Sequence, residues 1–330
     1  MKSLDHVAAV NNQYGGQILG HLHWFSIHEG LYTQASINDA IAESGLDAKL
    51  LRDINPKHAF QRATKDNQKR VRISADEVHN YMIRGNFEND KHLIRYVVLE
   101  KEEKRIVDLD YDTAIATLRF NKHTLDFEYS YKTPEGAKIA KDIERTYQLF
   151  RTHRDANAIR NLVDKAISKW SPTLIRSNGG VYFIPVQFED QLKALVKFLK
   201  IVQVKQGRNP EGAMIPMINT EDNLEIVGKA VEEALKDTVD ALRNALINEG
   251  NLENYKKWKL LADAKKAISD FQTYQQILGN LTEDMEVYVD FLRRQAARLG
   301  AIEEKDENKD QLSLLDDSDG DLVLSEELVG

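Results

Sequence analysis

The 330-residue chain has no cysteine, which excludes disulfides, thiolate metal sites and a cysteine nucleophile. That absence fits a cytoplasmic setting. No uncharged apolar run of about 18 residues occurs, so no membrane span is expected. The opening stretch MKSLDHVAAVNNQYGG lacks an apolar core of signal-peptide length. Phosphate loops with P-loop or dinucleotide-binding spacing are missing, as are a Gly-x-Ser-x-Gly elbow and a His-Glu-x-x-His helix. These gaps point to a non-enzymatic protein that needs no cofactor.

Hydrophobic residues make up 42% of the chain, enough for a sizeable core, so the chain is expected to fold. The net charge of −8 is unevenly placed. The last thirty residues carry eleven acids against Lys305 and Lys309, a balance of −9, which leaves the first 300 residues at +1. A nearly neutral body can still hold a basic patch, and the acidic end reads as an interaction tail.

Patterning implies an α+β protein in five consecutive parts. Residues 1–88 read as winged-helix-like: SINDAIAESG with Ser36 as N-cap and Gly45 as stop, then PKHAFQRATKD opened by Pro56, then the β-suited QKRVRIS. Residues 89–133 switch to a period of two in HLIRYVVLE, RIVDLD, TAIATLRFN and TLDFEYSY, an antiparallel meander ending at Pro134-Glu135-Gly136. Residues 134–219 form a small α/β unit, with helices at 136–153 and 156–170. A hairpin turning at Asn178-Gly179 follows, then helix QFEDQLKALVKFLKIV and strand GAMIPMI.

Residues 220–300 are helical arms. Leu224, Val227, Val231, Leu235, Val239, Leu242 and Leu246 form one apolar seam, and Tyr255, Trp258, Leu261, Ile268, Phe271, Tyr274 and Leu278 a second. Met285, Tyr288, Leu292 and Leu299 begin a third, and the short breaks between helices predict antiparallel neighbours. Self-association or a second subunit would use residues 220–298. Residues 301–330 are expected to be a disordered acidic tail.

Several constellations carry chemistry. Lys57, Arg62, Lys65, Lys69, Arg70 and Arg72 stand against the single acid Asp66 between 57 and 72. On a winged helix this is where phosphates would be met, and neutralising them releases counterions and gives sequence-independent affinity for DNA; a solvated surface is the plainer alternative. His21 and His23 share one face if GHLHWFSIH is a strand, a pair able to ligate a divalent ion. A catalytic centre would need further ligands; His28 falls on the opposite strand face, and Asp39, His58 and His79 cannot be placed from sequence, so a half-buried aromatic strand is the preferred reading. Asp108, Asp110 and Asp112 alternate on one strand face and could hold Mg²⁺, although such a face is more often the wet side of a sheet.

In the tail, Asp317, Asp319, Gly320, Leu322 and Glu326 fit positions 3, 5, 6, 8 and 12 of a calcium loop, but Leu315 occupies the first ligand position, so calcium is not expected. The stretch Gln311, Leu312, Ser313, Leu314, Leu315 resembles the peptide by which bacterial and phage DNA-metabolism proteins dock on the β sliding clamp, Gln-Leu-Ser/Asp-Leu-Phe/Leu. Leu315 stands where Phe is commoner. The resemblance implies a clamp as partner, with Gln311 at the rim of a pocket and the leucines inside it. A tail that cannot bury three leucines on itself has reason to keep them for a partner's groove. The combined expectation is a DNA-associated accessory protein that docks a partner through its tail. The alternatives are a structural or assembly protein making only protein contacts and, third, a metal-dependent hydrolase using the His21/His23 pair.

Overall fold

A computed structural model describes residues 17–75, 77–103, 110–111, 114–176, 180–205, 207, 212–247 and 254–310. The fold is mixed α+β, and these residues divide into two compact units. Unit one holds residues 25–167 and 191–213, and unit two holds the described residues of 17–24, 168–190 and 214–310. The five consecutive parts expected from sequence are therefore redistributed. The α/β stretch 134–219 sends its helices mainly to unit one and its strands mainly to unit two.

In chain order the elements are β1 (Ile18–Phe25), β2 (Leu31–Thr33), α1 (Gln34–Ser44), α2 (Pro56–Asp66), β3 (Lys69–Arg72), β4 (Glu77–Glu88) and β5 (His92–Glu103). Then come β6 (Asp110–Tyr111), β7 (Ala116–Asn121), β8 (Phe127–Tyr131), α3 (Pro134–Phe150), β9 (His153–Asp155) and α4 (Ala156–Ile167). The chain continues through β10 (Thr173–Arg176), β11 (Val181–Pro185), α5 (Glu189–Val204), β12 (Gly212–Ile218), α6 (Glu221–Ile247), α7 (Asn254–Leu278) and α8 (Glu286–Asp310).

Unit one is built on a sheet of order β3-β4-β5-β7-β8, with β6 beside β5. Among the described residues its strands pair antiparallel. The expected break between residues 88 and 89 falls at the β4–β5 turn, where the Asn89 carboxamide oxygen accepts from the N–H groups of Lys91 and His92 at 3.0 and 2.7 Å. β2 pairs with β9 in a small sheet of its own, whereas β3 and β4 are members of the larger sheet. One face of that sheet contributes Leu93, Val97, Leu99, Leu118 and Phe120 to a core shared with Phe60 and Ala63 of α2 and Ile143 and Tyr147 of α3. Phe60 stacks on Phe120 with centroids 5.5 Å apart.

Local signals set the helix ends. Gly45 stops α1 with φ +78°, and Pro56 occupies the first turn of α2 behind Asn55, whose side chain accepts from Lys57 N. The cap of α1 is Thr33, not Ser36: Thr33 Oγ1 accepts from Ser36 N at 3.1 Å, so the cap lies three residues before the expected position. Pro134-Glu135-Gly136, read as the end of the meander, is the first turn of α3, capped by Thr133. Gly136 lies so close to β7 that an added Cβ would be 2.3 Å from the Ile115 carbonyl oxygen.

Unit two has a sheet of order β10-β11-β1-β12, in which β11 runs antiparallel to both β10 and β1. The Asn178-Gly179 turn expected between β10 and β11 lies outside the described residues, while the strands on either side of it pair as a hairpin requires. Val227, Val231, Leu235, Val239 and Leu242 of α6 pack with Leu261, Phe271, Tyr274 and Leu278 of α7 and with Val289 and Leu292 of α8. Lys236 sits over the Tyr288 ring and Arg243 over Phe291, so the numbers rise together and α6 runs parallel to α8. Trp258 departs from its expected seam: it is 52% exposed, as is Ile247 at 76%, both near the end where α6 passes to α7. The side chains of Tyr255 and Leu299 lie outside those described. Among the described residues no helix is long and apolar enough to cross a membrane.

A candidate nucleic-acid interface

The six basic residues between 57 and 72 do not form one free surface. Lys57, in the first turn of α2, bonds Glu88 at 2.7 Å. Lys122 reaches the same carboxylate at 2.6 Å, and these two partners, Lys122 first, hold the Glu88 carboxyl below its usual range. Arg62 bonds Asp155 at 2.9 Å, lies 3.8 Å from Asp66, and stacks 4.3 Å from the centroid of the Phe150 ring. Lys69 lies 3.8 Å from Asp142. Counting charges along the chain found Asp66 but missed Glu88, Asp155 and Asp142, which come from distant segments. Lys65 is exposed at the last turn of α2, and Arg70 and Arg72 are exposed on β3.

Strand alternation divides the remaining charges between the two faces of the sheet. Lys69 and Val71 pair with Tyr81 and His79, and Val71 and Tyr81 pack on the core face. Arg70 and Arg72 therefore point to the other face, opposite Asn80 and Val78. The same face carries Arg84 opposite Tyr96, which is in turn opposite Thr117. It also carries Phe87 opposite Ile94, then Arg119 and Glu128. Arg70, Arg72, Arg84, Arg119 and Glu128 are exposed, while Glu100 on this face is only 9% exposed and accepts from Asn80 Nδ2 at 3.2 Å. Among the described side chains of this face, four arginines thus stand against two carboxylates.

Two aromatic rings belong to this surface, Phe87 at 57% exposure and Tyr96 at 36%. A bulge between Arg84 and Phe87 places Gly85 at φ +73°, and an added Cβ there would be 2.8 Å from Tyr96 Cδ2. The tyrosine ring therefore rests on bare backbone. Arg84, Phe87, Tyr96 and Arg119 were missed because the sequence reading sought a charge cluster. For Arg84, Tyr96 and Arg119 the signal was the alternation in YMIRG, LIRYV and TLRFN, where the residue between two core positions faces outward; Phe87 follows the bulge, which breaks that alternation.

The other candidates remain separate. His21 and His23 lie 2% and 0% exposed on β1, with His21 Nε2 3.9 Å from Glu189 Oε1. His79 faces Glu77 at 2.6 Å, and Asp39 lies 3.6 Å from Lys205. Among the described residues no group of three His, Cys, Asp or Glu side chains could hold a metal ion. Asp108, Asp112 and the tail residues Gln311, Leu312, Ser313, Leu314 and Leu315 lie outside the described residues, as does the Asp110 side chain. In unit two a groove of about 380 Å³ runs between α6 and α7, floored by Leu235, Leu242 and Phe271 and edged by Asp237, Asp263 and Asp270.

A family model described as a family of unknown function, DUF6744, matches residues 18–306, and the chain belongs to that family. No curated protein and no solved structure matches it.

Proposed function

We propose that this DUF6744 protein is a non-enzymatic, cytoplasmic DNA-associated accessory protein of replication, repair or a phage cycle. In this reading it meets DNA through the outer face of the unit-one sheet and docks a protein partner through Gln311–Leu315, the sliding clamp being the partner the motif implies. The observation that supports DNA contact is the set of exposed arginines at 70, 72, 84 and 119 on one sheet face. Phosphates neutralised by such a surface release counterions, so affinity must fall steeply with salt.

The test is fluorescence anisotropy with labelled DNA over a salt series, comparing wild type with Arg70→Glu/Arg72→Glu. Binding that weakens steeply with salt, and that the double variant largely loses, supports the reading. A double variant that binds like wild type removes this surface from consideration.

The second reading is an assembly protein working through its helices. Exposed Trp258, Ile247 and Val287, at 52%, 76% and 69%, favour it because large apolar side chains left exposed on helical arms suit a protein contact. Under that reading, nucleic acid fails to bind and sedimentation shows a self-associated species that Trp258→Ser dissociates.

A further inference from the structure

We infer that the outer face of the six-stranded sheet is a platform for single-stranded DNA; this rests on the DNA association proposed above and specifies the strand state. A duplex reader needs an element that can enter a groove. In unit one the helix of that kind, α2, buries Ala59, Phe60, Ala63 and Thr64, and its Arg62 is already held by Asp155, Asp66 and Phe150. The strands that would form a wing are consecutive members of the sheet. An open sheet face suits bases that are already unstacked.

Stacking on aromatic rings is the sequence-tolerant part of single-strand binding, and a basic surface that tracks the backbone is the other part. Both are present here, in adjoining rows. One row places Arg84 beside Tyr96, and the other runs Phe87, Ile94, Arg119. Each exposed ring therefore shares a cross-strand row with an arginine. Successive same-face positions along a strand are about 6.7 Å apart, so neighbouring bases of one strand can each reach a ring. Gly85 supports the Tyr96 ring from the backbone side, which fixes its orientation while 36% of the residue stays exposed. Half-buried Met82 and Val98 supply an apolar floor on the side of Tyr96 that leads to the arginines at 70 and 72, and half-buried Ile94 fills the row between Phe87 and Arg119. Exposed aromatics scattered singly would need no explanation, but two on adjacent strands with arginines in the same rows do.

The test uses the full chain and three labelled probes of equal length: a thymidine oligonucleotide, a DNA duplex and a uridine oligonucleotide. The expected result is single-stranded DNA bound at least tenfold more tightly than duplex. Phe87→Ala and Tyr96→Leu should each weaken that binding roughly tenfold while leaving duplex binding and the melting temperature unchanged, on the usual scale of base–aromatic stacking. Phe87 is largely exposed, so its variant decides the matter if Tyr96→Leu fails to fold. Equal or tighter binding of duplex, or tighter binding of the uridine probe, overturns the inference. So do aromatic variants that hold the thymidine probe like wild type; if Arg70→Glu/Arg72→Glu still loses it, the DNA reading survives alone. Failure to bind any of the three probes overturns both.

Discussion

The Tyr274 hydroxyl donates to the backbone carbonyl of Ser171 at 2.6 Å, and Ser171 holds a left-handed conformation with φ +47°. A non-glycine residue in that region is costly unless its surroundings fix it. Ser171 lies just before β10, so this contact sets how that strand enters its sheet. Tyr274→Phe leaves a buried carbonyl without this donor and should destabilise the fold by about 1–3 kcal/mol in urea denaturation.

The same tyrosine predicts an alkaline limit. Burial, the largest cause, pushes the Tyr274 phenol well above its ordinary value, and burial raises Tyr81 and Tyr147 as well. With the folded pKa raised, the native state binds more protons than the unfolded chain above the unfolded pKa of about 10. Their contribution is complete below that pH and is lost as pH rises toward the folded values. Phenolate absorbance of these residues should therefore develop together with unfolding. A gradual rise in a chain that remains folded would contradict their burial.

Glu88 gives the acid counterpart. Its carboxyl is depressed by hydrogen bonds from Lys122 and then Lys57, so its contribution is present above the unfolded pKa of about 4.3 and fades as pH falls through the lower folded value. Both lysines and the carboxylate are partly exposed, and solvent screening limits the effect to a few tenths of a kcal/mol, up to about 1. Glu88→Gln should flatten the stability–pH curve between about pH 5 and 3 relative to wild type, read from denaturant midpoints.

Gly136→Ala tests the seat of α3. In an open helix this change would stabilise by up to about 1 kcal/mol. Here the new Cβ would meet the Ile115 backbone oxygen at 2.3 Å, and a backbone atom cannot step aside as the end of a flexible side chain could. The expected result is a loss of about 1–3 kcal/mol, with the sign deciding.

Full-length protein carrying Leu312→Ala/Leu314→Ala should lose capture by an immobilised sliding clamp that wild type retains, because apolar anchors dominate such pocket contacts. Equal capture of both proteins would discard the docking motif.

Much of the fold was legible because local chemistry dictates local ends. Gly45 and Pro56 mark helix boundaries as read, and the seam of Val227, Val231, Leu235, Val239 and Leu242 is buried. Ser36 misled because Thr33, three residues earlier, offers an equivalent hydroxyl and leaves Ser36 inside the first turn. Trp258 fits the helical spacing of its seam, yet spacing cannot tell how far along a helix its neighbour extends. The site was less legible for the same reason. Asp155 and Asp142 answer Arg62 and Lys69 only after the chain has folded back. The outer-face arginines look unremarkable until strand register places them side by side.

In unit two, His21 of β1 lies opposite Ile184 of β11, and β1 also has β12 on its other side. The strand between these neighbours is thus synthesised first and its partners much later. During translation residues 25–167, the larger part of unit one, emerge before β11 and can begin to pack among themselves. The leading strand must wait in the meantime, with its backbone donors and acceptors open to any passing edge. Growing chains arrested before residue 181 should therefore aggregate more readily than the finished protein, making the nascent chain a natural client for chaperones.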